Sequence, residues 1–225
     1  MKNRQPKIYY RRNLPHYQPP DGTFFVTSRL AGSLPQEVVA RLRHERDDHE
    51  KWLTGITNTA ERISRWRDYQ SEYFEKFDSL LDGDTAGPLW LRDARIASLV
   101  ADSLKFYDGT HYDLIAYCIM PNHIHVICTL LPAAISQEHL NSDEPSAPYI
   151  LTTIFQSIKK YTARKANAAL GRSGNFWQQE SYDHTIKTSE ELQRMIYYVI
   201  NNPLKANLCG SWDQWPWTYV KDGWV

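Results

Sequence analysis

The sequence predicts an α+β fold, in which an antiparallel sheet carries helices on one face in a ferredoxin-like, split βαβ arrangement. Apolar residues alternate between a period of two and a period near 3.6, in the order strand, helix, strand, strand, helix, strand, helix. A Pro121-Asn122 turn joins the second and third strands into an antiparallel hairpin in the middle of the chain. The 225 residues suit a single domain, residues 1–225.

Each predicted element follows from local composition. The first strand is aromatic and β-branched, and the hairpin strands are apolar. Thr188 and Glu191 form a capping-box spacing at the start of the last helix, and Pro203 is expected to end it at Asn202, because proline has no amide hydrogen. The predicted strands are residues 23–30, 112–120, 123–128 and 181–187. The predicted helices are a segment opened by Pro35, then residues 91–106, 149–170 and 188–202, with a loop at 136–148.

The charge is balanced overall but unevenly distributed. Lysine plus arginine equals aspartate plus glutamate at 26 each, which excludes a uniformly basic DNA-coating protein. Residues 1–12 and residues 159–172 are basic and contain no acid. They could contact one polyanion, or they could be a tail and a solvated helix face. Residues 45–90 are interpreted as a helical acidic insertion, and the tryptophan-rich tail, 203–225, is expected to pack on the domain.

The sequence carries no membrane or export signal. No apolar run reaches the roughly 18 residues that a membrane helix needs. No apolar block follows the first residues, Met-Lys-Asn-Arg-Gln-Pro, as a secretory signal would require. Three cysteines without paired spacing favour a reducing compartment. We therefore expect a soluble, cytoplasmic protein with no membrane partner.

Two histidines, two residues apart, form the first candidate site. Alternate side chains of a strand share a face, so His123 and His125 project together while the intervening side chain points to the core. Neutral imidazole is a common metal ligand, so the pair could hold one divalent ion, although surface histidines are the alternative. A structural zinc site that adds Cys118 or Cys128 is disfavoured, because strand parity puts Cys128 on the other face and Pro121 separates Cys118.

A phenol and an amide, one helical turn apart, form the second candidate site. Tyr198 and Asn202 share one stripe of the last helix, because residues four apart lie nearly in line. The pair could be a rim tyrosine beside a helix-ending asparagine. In combination with His123 and His125, the amide could complete a cation site that binds a phosphate and assists attack by the phenol. Attack by Tyr198 would leave a phosphotyrosyl link.

Several ordered motifs together resemble a known family. The segment Met-Pro-Asn-His-Ile-His-Val at 120–126 is similar to the His-hydrophobe-His motif of the HUH single-tyrosine transposases, with the REP-associated tyrosine transposases as the branch that it most resembles. Further blocks similar to that branch, in matching order, are residues 11–16 and 25–30, 157–164 and 176–178, 198–206, and 215–217. Together they cover most of the chain except the acidic insertion.

The resemblance implies an HUH-endonuclease fold and a metal-dependent endonuclease and strand transferase, active in DNA transposition and recombination. It maps the metal ligands to His123, His125 and Asn202 and the nucleophile to Tyr198. The implied cofactor is a divalent metal ion, Mg²⁺ or Mn²⁺. The implied partner is single-stranded or hairpin DNA, bound by a monomer or a homodimer. The alternative function is a non-catalytic nucleic-acid hairpin-binding regulator on the same scaffold.

Two other tyrosines compete for the role of nucleophile. Tyr161 lies in a basic helix, but Lys165, four residues later, could not ligate a cation. Tyr197 lies on the opposite flank of the last helix from Tyr198. His184 either carries protons at the site or is structural. The residues expected to bind DNA phosphates are Arg11, Arg12, Lys159, Lys160, Arg164 and Lys165.

Overall fold

The helices and strands follow the predicted alternation in a computed structural model that describes residues 9–11, 15–17, 19, 21–83, 87–132 and 150–224. The strands are β1 (Tyr9–Arg11), β2 (Pro15–Tyr17), β3 (Thr23–Arg29), β4 (Tyr112–Ile119), β5 (His123–Leu130), β6 (Tyr182–Ile186) and β7 (Thr218–Val220). The helices are α1 (Gln36–Thr54), α2 (Thr59–Gly83), α3 (Ala94–Phe106), α4 (Ile150–Ala169) and α5 (Ser189–Lys205). The predicted loop at 136–148 lies outside the described residues.

The predicted α+β class with an antiparallel sheet is confirmed. Five strands pair in the order β6-β3-β5-β4-β7, and every neighbouring pair is antiparallel. β3 and β4 therefore run parallel to each other on either side of β5, which is the arrangement of a split βαβ unit. The register places Thr27 opposite His125 and Arg29 opposite His123.

Helices cover both faces of this sheet. Val126 belongs to a core cluster that includes Ile96 of α3 and Ile154 of α4. The next residue towards the N-terminus, His125, contacts Tyr198 of α5 instead. Successive strand residues point to opposite faces, so α3 and α4 share one face, as predicted, whereas α5 lies on the other. The physical reason is that β5 is buried on both faces, so each face needs a covering helix.

The chain divides into two compact units. One comprises residues 1–31 and 90–225 and holds the five-stranded sheet, and the other is Gly32–Leu89, with α1 and α2. The helical unit begins earlier than the predicted insertion, 45–90, because α1 runs without a break from Gln36 to Thr54. The two ends of the helical unit lie against each other. The backbone of Gly87 is so close to that of Gly32 that a Cβ atom built at Gly87 would lie 2.8 Å from the carbonyl oxygen of Gly32.

The C-terminal segment differs from the prediction in two respects. α5 continues through Pro203 to Lys205, rather than ending at Asn202, because a proline in the last turn removes only one backbone hydrogen bond. The predicted tail includes a strand, β7, that pairs with β4, and the indole Nε1 of Trp215 donates to the carbonyl of Ile119 at 3.0 Å.

The short β1–β2 hairpin was not predicted.

None of the helices in the described residues combines the length and the apolar character that crossing a bilayer would need.

Candidate active site

The two histidines project from β5, a central strand of the sheet. His123 and His125 share a face, as predicted, and both side chains are fully buried. Their Nε2 atoms face each other at 3.0 Å. β3 and β4 hold β5 from both sides by backbone hydrogen bonds. The two imidazole side chains are therefore attached to a rigid strand rather than to a loop.

Each imidazole makes a hydrogen bond through its other nitrogen. Nδ1 of His123 lies 2.7 Å from Oδ1 of Asn122, and Nδ1 of His125 lies 2.9 Å from Oγ1 of Thr27. A metal-binding histidine ordinarily has such an outer partner, which fixes the ring and directs Nε2 to the ion. The outer partners therefore orient both Nε2 atoms towards one point.

The last long helix brings a phenol and an amide to the same rings. The ring of Tyr198 packs edge-on against the ring of His125, with 5.7 Å between centroids. The side-chain amide of Asn202, fully buried, lies 3.5 Å from Nε2 of His125 through its Nδ2 atom. Phe25 stacks on His125 at 5.2 Å and meets Tyr198 edge-on at 6.2 Å. The structure thus brings together the four residues that the sequence analysis assigned to the site.

The sequence of α5 explains this placement. Thr188 caps the helix by accepting a hydrogen bond from the backbone N–H of Glu191, as the capping-box spacing predicted. Ile196, Val199 and Ile200 form the buried face. Tyr198 and Asn202 flank that face, so burying it against the sheet turns the phenol and the amide towards His125.

A lysine without an assigned role also contacts the tyrosine. Nζ of Lys205 lies over the ring of Tyr198, 4.3 Å from its centroid, in a cation–π contact. Positions 198, 202 and 205 follow the i, i+4, i+7 spacing of one helical stripe, so the spacing could have identified Lys205. Asn122, Thr27 and Phe25 were missed as well, and the pairing of Thr27 and Phe25 with β5 depends on a strand register that the sequence does not reveal.

The histidine pair could hold a divalent cation. Adjacent ligands of an octahedral ion at about 2.1 Å stand about 3.0 Å apart, which matches the Nε2 separation. The amide of Asn202 adds an oxygen donor when it is turned with Oδ1 towards the rings. Among the described residues, no cysteine belongs to a close group of three or more histidine, cysteine, aspartate or glutamate side chains that could hold a metal ion. Cys128 lies in the core cluster on the opposite face, and Sγ of Cys118 contacts the sulfur of Met120.

The competing tyrosines lie elsewhere. Tyr161 is on α4, which packs on the face of the sheet opposite the histidines, and its side chain is 46% exposed. Tyr197 is 49% exposed on the outer side of α5. In the described residues Tyr198 is therefore the one of these three tyrosines whose ring contacts a histidine of the pair.

His184 lies on the same face of the sheet, opposite Phe25, and is bonded to a carboxylate. Its Nε2 lies 2.7 Å from Oε1 of Glu191, whose other oxygen accepts from the backbone N–H of Lys187. Burial raises the pKa of the Glu191 carboxyl, but these hydrogen bonds outweigh it and the pKa is lowered. The pairing ties β6 to the start of α5 and supports the structural alternative for His184.

The basic residues of α4 fall into two groups. Lys160, Arg164 and Lys165 are exposed. Nζ of Lys159 instead donates to the carbonyls of Gln178 and Gln179, at 2.6 and 2.9 Å, and to Oγ of Ser181, at 3.2 Å. An ammonium has three hydrogens, so these three bonds occupy Lys159 within the fold. Arg11 lies in β1 without a described side chain, and Arg12 lies outside the described residues.

This chain is similar to a curated protein and to a solved structure. The chain is 23% identical over 108 residues to a Haemophilus influenzae protein whose name assigns it provisionally to the REP-associated tyrosine transposases. The match covers 48% of this chain and 58% of the relative, so the chain spans less than two thirds of that protein's length. A structure of a REP-associated tyrosine transposase bound to a REP hairpin aligns with 93% of this chain and 80% of its own, at 17% identity and a TM-score of 0.49. No protein-family model matches the chain. The sequence similarity to the Haemophilus influenzae protein confirms the resemblance to REP-associated tyrosine transposases that the motifs predict.

Proposed function

We propose that this chain is a metal-dependent, single-stranded DNA endonuclease and strand transferase, a tyrosine transposase that acts on hairpin-containing DNA. One observation carries the proposal, namely that Tyr198 and Asn202 of α5 meet the paired imidazoles of β5 on one face of the sheet. The similarity to a relative named as a REP-associated tyrosine transposase supports the choice of DNA as the substrate.

The residues of the site have separate roles in the proposed reaction. His123, His125 and Asn202 would bind Mg²⁺ or Mn²⁺, and the bound ion supplies Lewis-acid stabilisation of a phosphate. The phenolic oxygen of Tyr198 forms a bond to phosphorus while the bond from phosphorus to the departing strand breaks. The phenol gives up its proton, and the departing oxygen takes one up to become a hydroxyl. The phosphotyrosyl ester conserves the broken linkage, so a second strand hydroxyl can displace Tyr198 and rejoin the DNA.

Formation of a covalent adduct tests this proposal. We expect the protein, incubated with labelled single-stranded hairpin DNA and Mg²⁺ or Mn²⁺, to retain label after denaturing electrophoresis. Tyr198→Phe should abolish the adduct, because it removes the attacking oxygen and leaves the ring packed against His125. Chelation of the metal should have the same effect.

Two tyrosines provide matched controls. Tyr197→Phe makes the same change at the adjacent position of α5, and Tyr161→Phe makes it on the opposite side of the sheet. Both variants should form the adduct at the wild-type level. An adduct that persists in Tyr198→Phe would assign the nucleophile elsewhere, and tight binding without an adduct in either metal would favour the hairpin-binding regulator.

A further inference from the structure

A groove between α3 and α4 is lined by aromatic side chains that the proposed reaction does not use. The cavity has a volume of about 440 Å³, and its lining includes Leu99, Asp102 and Phe106 of α3 and Tyr161 of α4. Phe106 is 76% exposed and Tyr161 46% exposed. In the described residues only two other large apolar side chains are similarly exposed, so half of this set meets in one groove.

The helical spacing explains how the groove forms. The lining positions of α3 are 99, 102, 103 and 106, and those of α4 are 157, 158 and 161, so each helix contributes one stripe. The two stripes face each other because α3 and α4 pack side by side on the core cluster. That cluster covers the face of the sheet opposite His123 and His125, so the groove is separate from the candidate active site.

The charge around the groove is positive on the side of α4. Residues 150–169 contain no aspartate or glutamate. The helical stripe that contains Tyr161 continues beyond the groove with Arg164 and Lys165, which come three and four residues later. Lys160 directly precedes Tyr161 in the chain. All three basic side chains are exposed. On the side of α3, Asp102 is the acid of the lining, and its carboxylate lies 3.5 Å from Oγ of Ser98.

We propose that this groove binds one unpaired nucleotide of the DNA, with the base between Phe106 and Tyr161 and the flanking phosphates on Arg164 and Lys165. The choice of DNA as the ligand rests on the proposed function. Aromatic side chains beside a basic track are the combination that single-stranded nucleic acid requires, because bases stack while phosphates need cations. The cavity lies within the usual size range of small-molecule pockets. The carboxylate of Asp102 can accept a hydrogen bond from an exocyclic amine of the base.

A second copy of the chain fits this surface less well. A two-fold symmetric contact places the same patch of both copies together. The exposed cations of one α4 would then approach those of the other, and such a like-charge contact opposes association. A polyanion meets no such repulsion on this side of the groove.

Binding of a base-containing strand, compared with an abasic strand of equal length, tests the groove. Both labelled strands carry the same phosphates. Fluorescence anisotropy measures the affinity of each strand for the Tyr198→Phe variant in EDTA, so that no cleavage interferes. This variant is the background protein for all further substitutions. The background protein should bind the base-containing strand more tightly. The added Phe106→Ala and Tyr161→Ala changes should weaken that binding roughly ten-fold or more and leave abasic binding unchanged. Tyr161→Phe, which keeps the ring, should retain the affinity.

Each outcome of this experiment decides the proposal. Both alanine substitutions lie at exposed positions, and thermal unfolding checks that the variant folds. Photo-crosslinking of a 5-iodouracil strand to Tyr161 would support the groove. Equal binding of the base-containing and abasic strands would overturn the groove proposal. A wild-type protein that is an oligomer, with a double alanine variant that is a monomer, would also overturn it. If the wild-type protein forms the Tyr198 adduct but does not distinguish the strands, the groove proposal fails while the proposed function stands. Absence of any DNA binding would contradict both.

Discussion

At the scale of single residues, His125 connects the parts of the candidate site. Its Nδ1 meets Oγ1 of Thr27, its Nε2 meets Nε2 of His123, and its ring packs against the rings of Phe25 and Tyr198. β3, β5 and α5 thus converge on one imidazole. A change at any of these contacts is expected to act on the site through the orientation of this ring.

Removing the outer partner of His125 should weaken metal binding. Thr27→Val keeps the shape of the side chain but removes the hydroxyl that bonds to Nδ1. Loss of an outer-shell partner typically lowers metal affinity by about 10- to 100-fold, and we expect a loss in that range for Mn²⁺. Isothermal titration calorimetry measures the affinity directly.

The control for this change lies on the same strand. Thr23→Val is the same substitution on β3, and it removes a hydroxyl that pairs with Thr129 at 2.8 Å, away from the histidines. It should leave the Mn²⁺ affinity unchanged. A Mn²⁺ affinity of the Thr27→Val variant equal to that of the wild-type protein would mean that the Thr27 hydroxyl does not contribute to metal binding.

At the scale of elements, α4 contains neighbouring lysines with different surroundings. Burial lowers the pKa of Lys159 to about 8, with a further lowering by Arg29 that Glu180 partly opposes. The hydrogen bonds of Lys159 to the 178–181 segment join α4 to the chain that enters β6. Lys160 points outward. Sequence analysis gave the two lysines the same role, because helix periodicity does not reveal which loop a side chain will meet.

This difference predicts a pH-dependent contribution to stability. The folded-state pKa of Lys159 lies below the ordinary lysine value, so the unfolded chain binds more protons between about pH 8 and 10.5. Stability rises with pH wherever the unfolded state binds more protons. The free energy of unfolding of the wild-type protein should therefore increase relative to Lys159→Met from pH 7.5 to about 10, by a value on the order of 2 kcal/mol.

Urea titrations at several pH values measure this difference. Lys160→Met serves as the matched control, because it makes the same substitution at the neighbouring, exposed position of α4. A parallel response of both variants would show that Lys159 is not selectively perturbed.

At the scale of the whole molecule, the basic surface and the candidate active site lie on opposite faces of one sheet. α4 carries Lys160, Arg164 and Lys165 outward, whereas the histidines face α5. The formal net charge is zero, so electrostatic attraction of DNA would depend on local clusters rather than on the total. Single-stranded DNA that used both surfaces would have to pass around the sheet.

The salt dependence of DNA affinity tests whether this basic surface is used. Each phosphate contact that is removed should reduce the slope of log affinity against log salt concentration by about 0.7 for single-stranded DNA. In the triple variant Lys160→Gln, Arg164→Gln and Lys165→Gln, the magnitude of this slope should therefore be smaller by roughly two than in the wild-type protein. Anisotropy titrations over a range of salt concentrations measure it.

Three exposed arginines of the helical unit provide a variant with the same change of charge. Arg41→Gln, Arg43→Gln and Arg62→Gln should leave the slope unchanged, because these positions lie outside the residues assigned to DNA. The same slope in the wild-type protein and the α4 variant would show that the basic residues of α4 do not contact DNA phosphates.

The sequence alone determined the α+β class, most element boundaries and the four residues of the candidate site. The strand period of two pairs His123 with His125, and the helix period of 3.6 pairs Tyr198 with Asn202. The resemblance of the ordered motifs to a known family then assigned the two pairs to one site. Strand register, the second helical face and the anchoring of Lys159 were decided only by the tertiary structure. These features join residues far apart in the chain, and local periodicity carries no information about which distant elements meet.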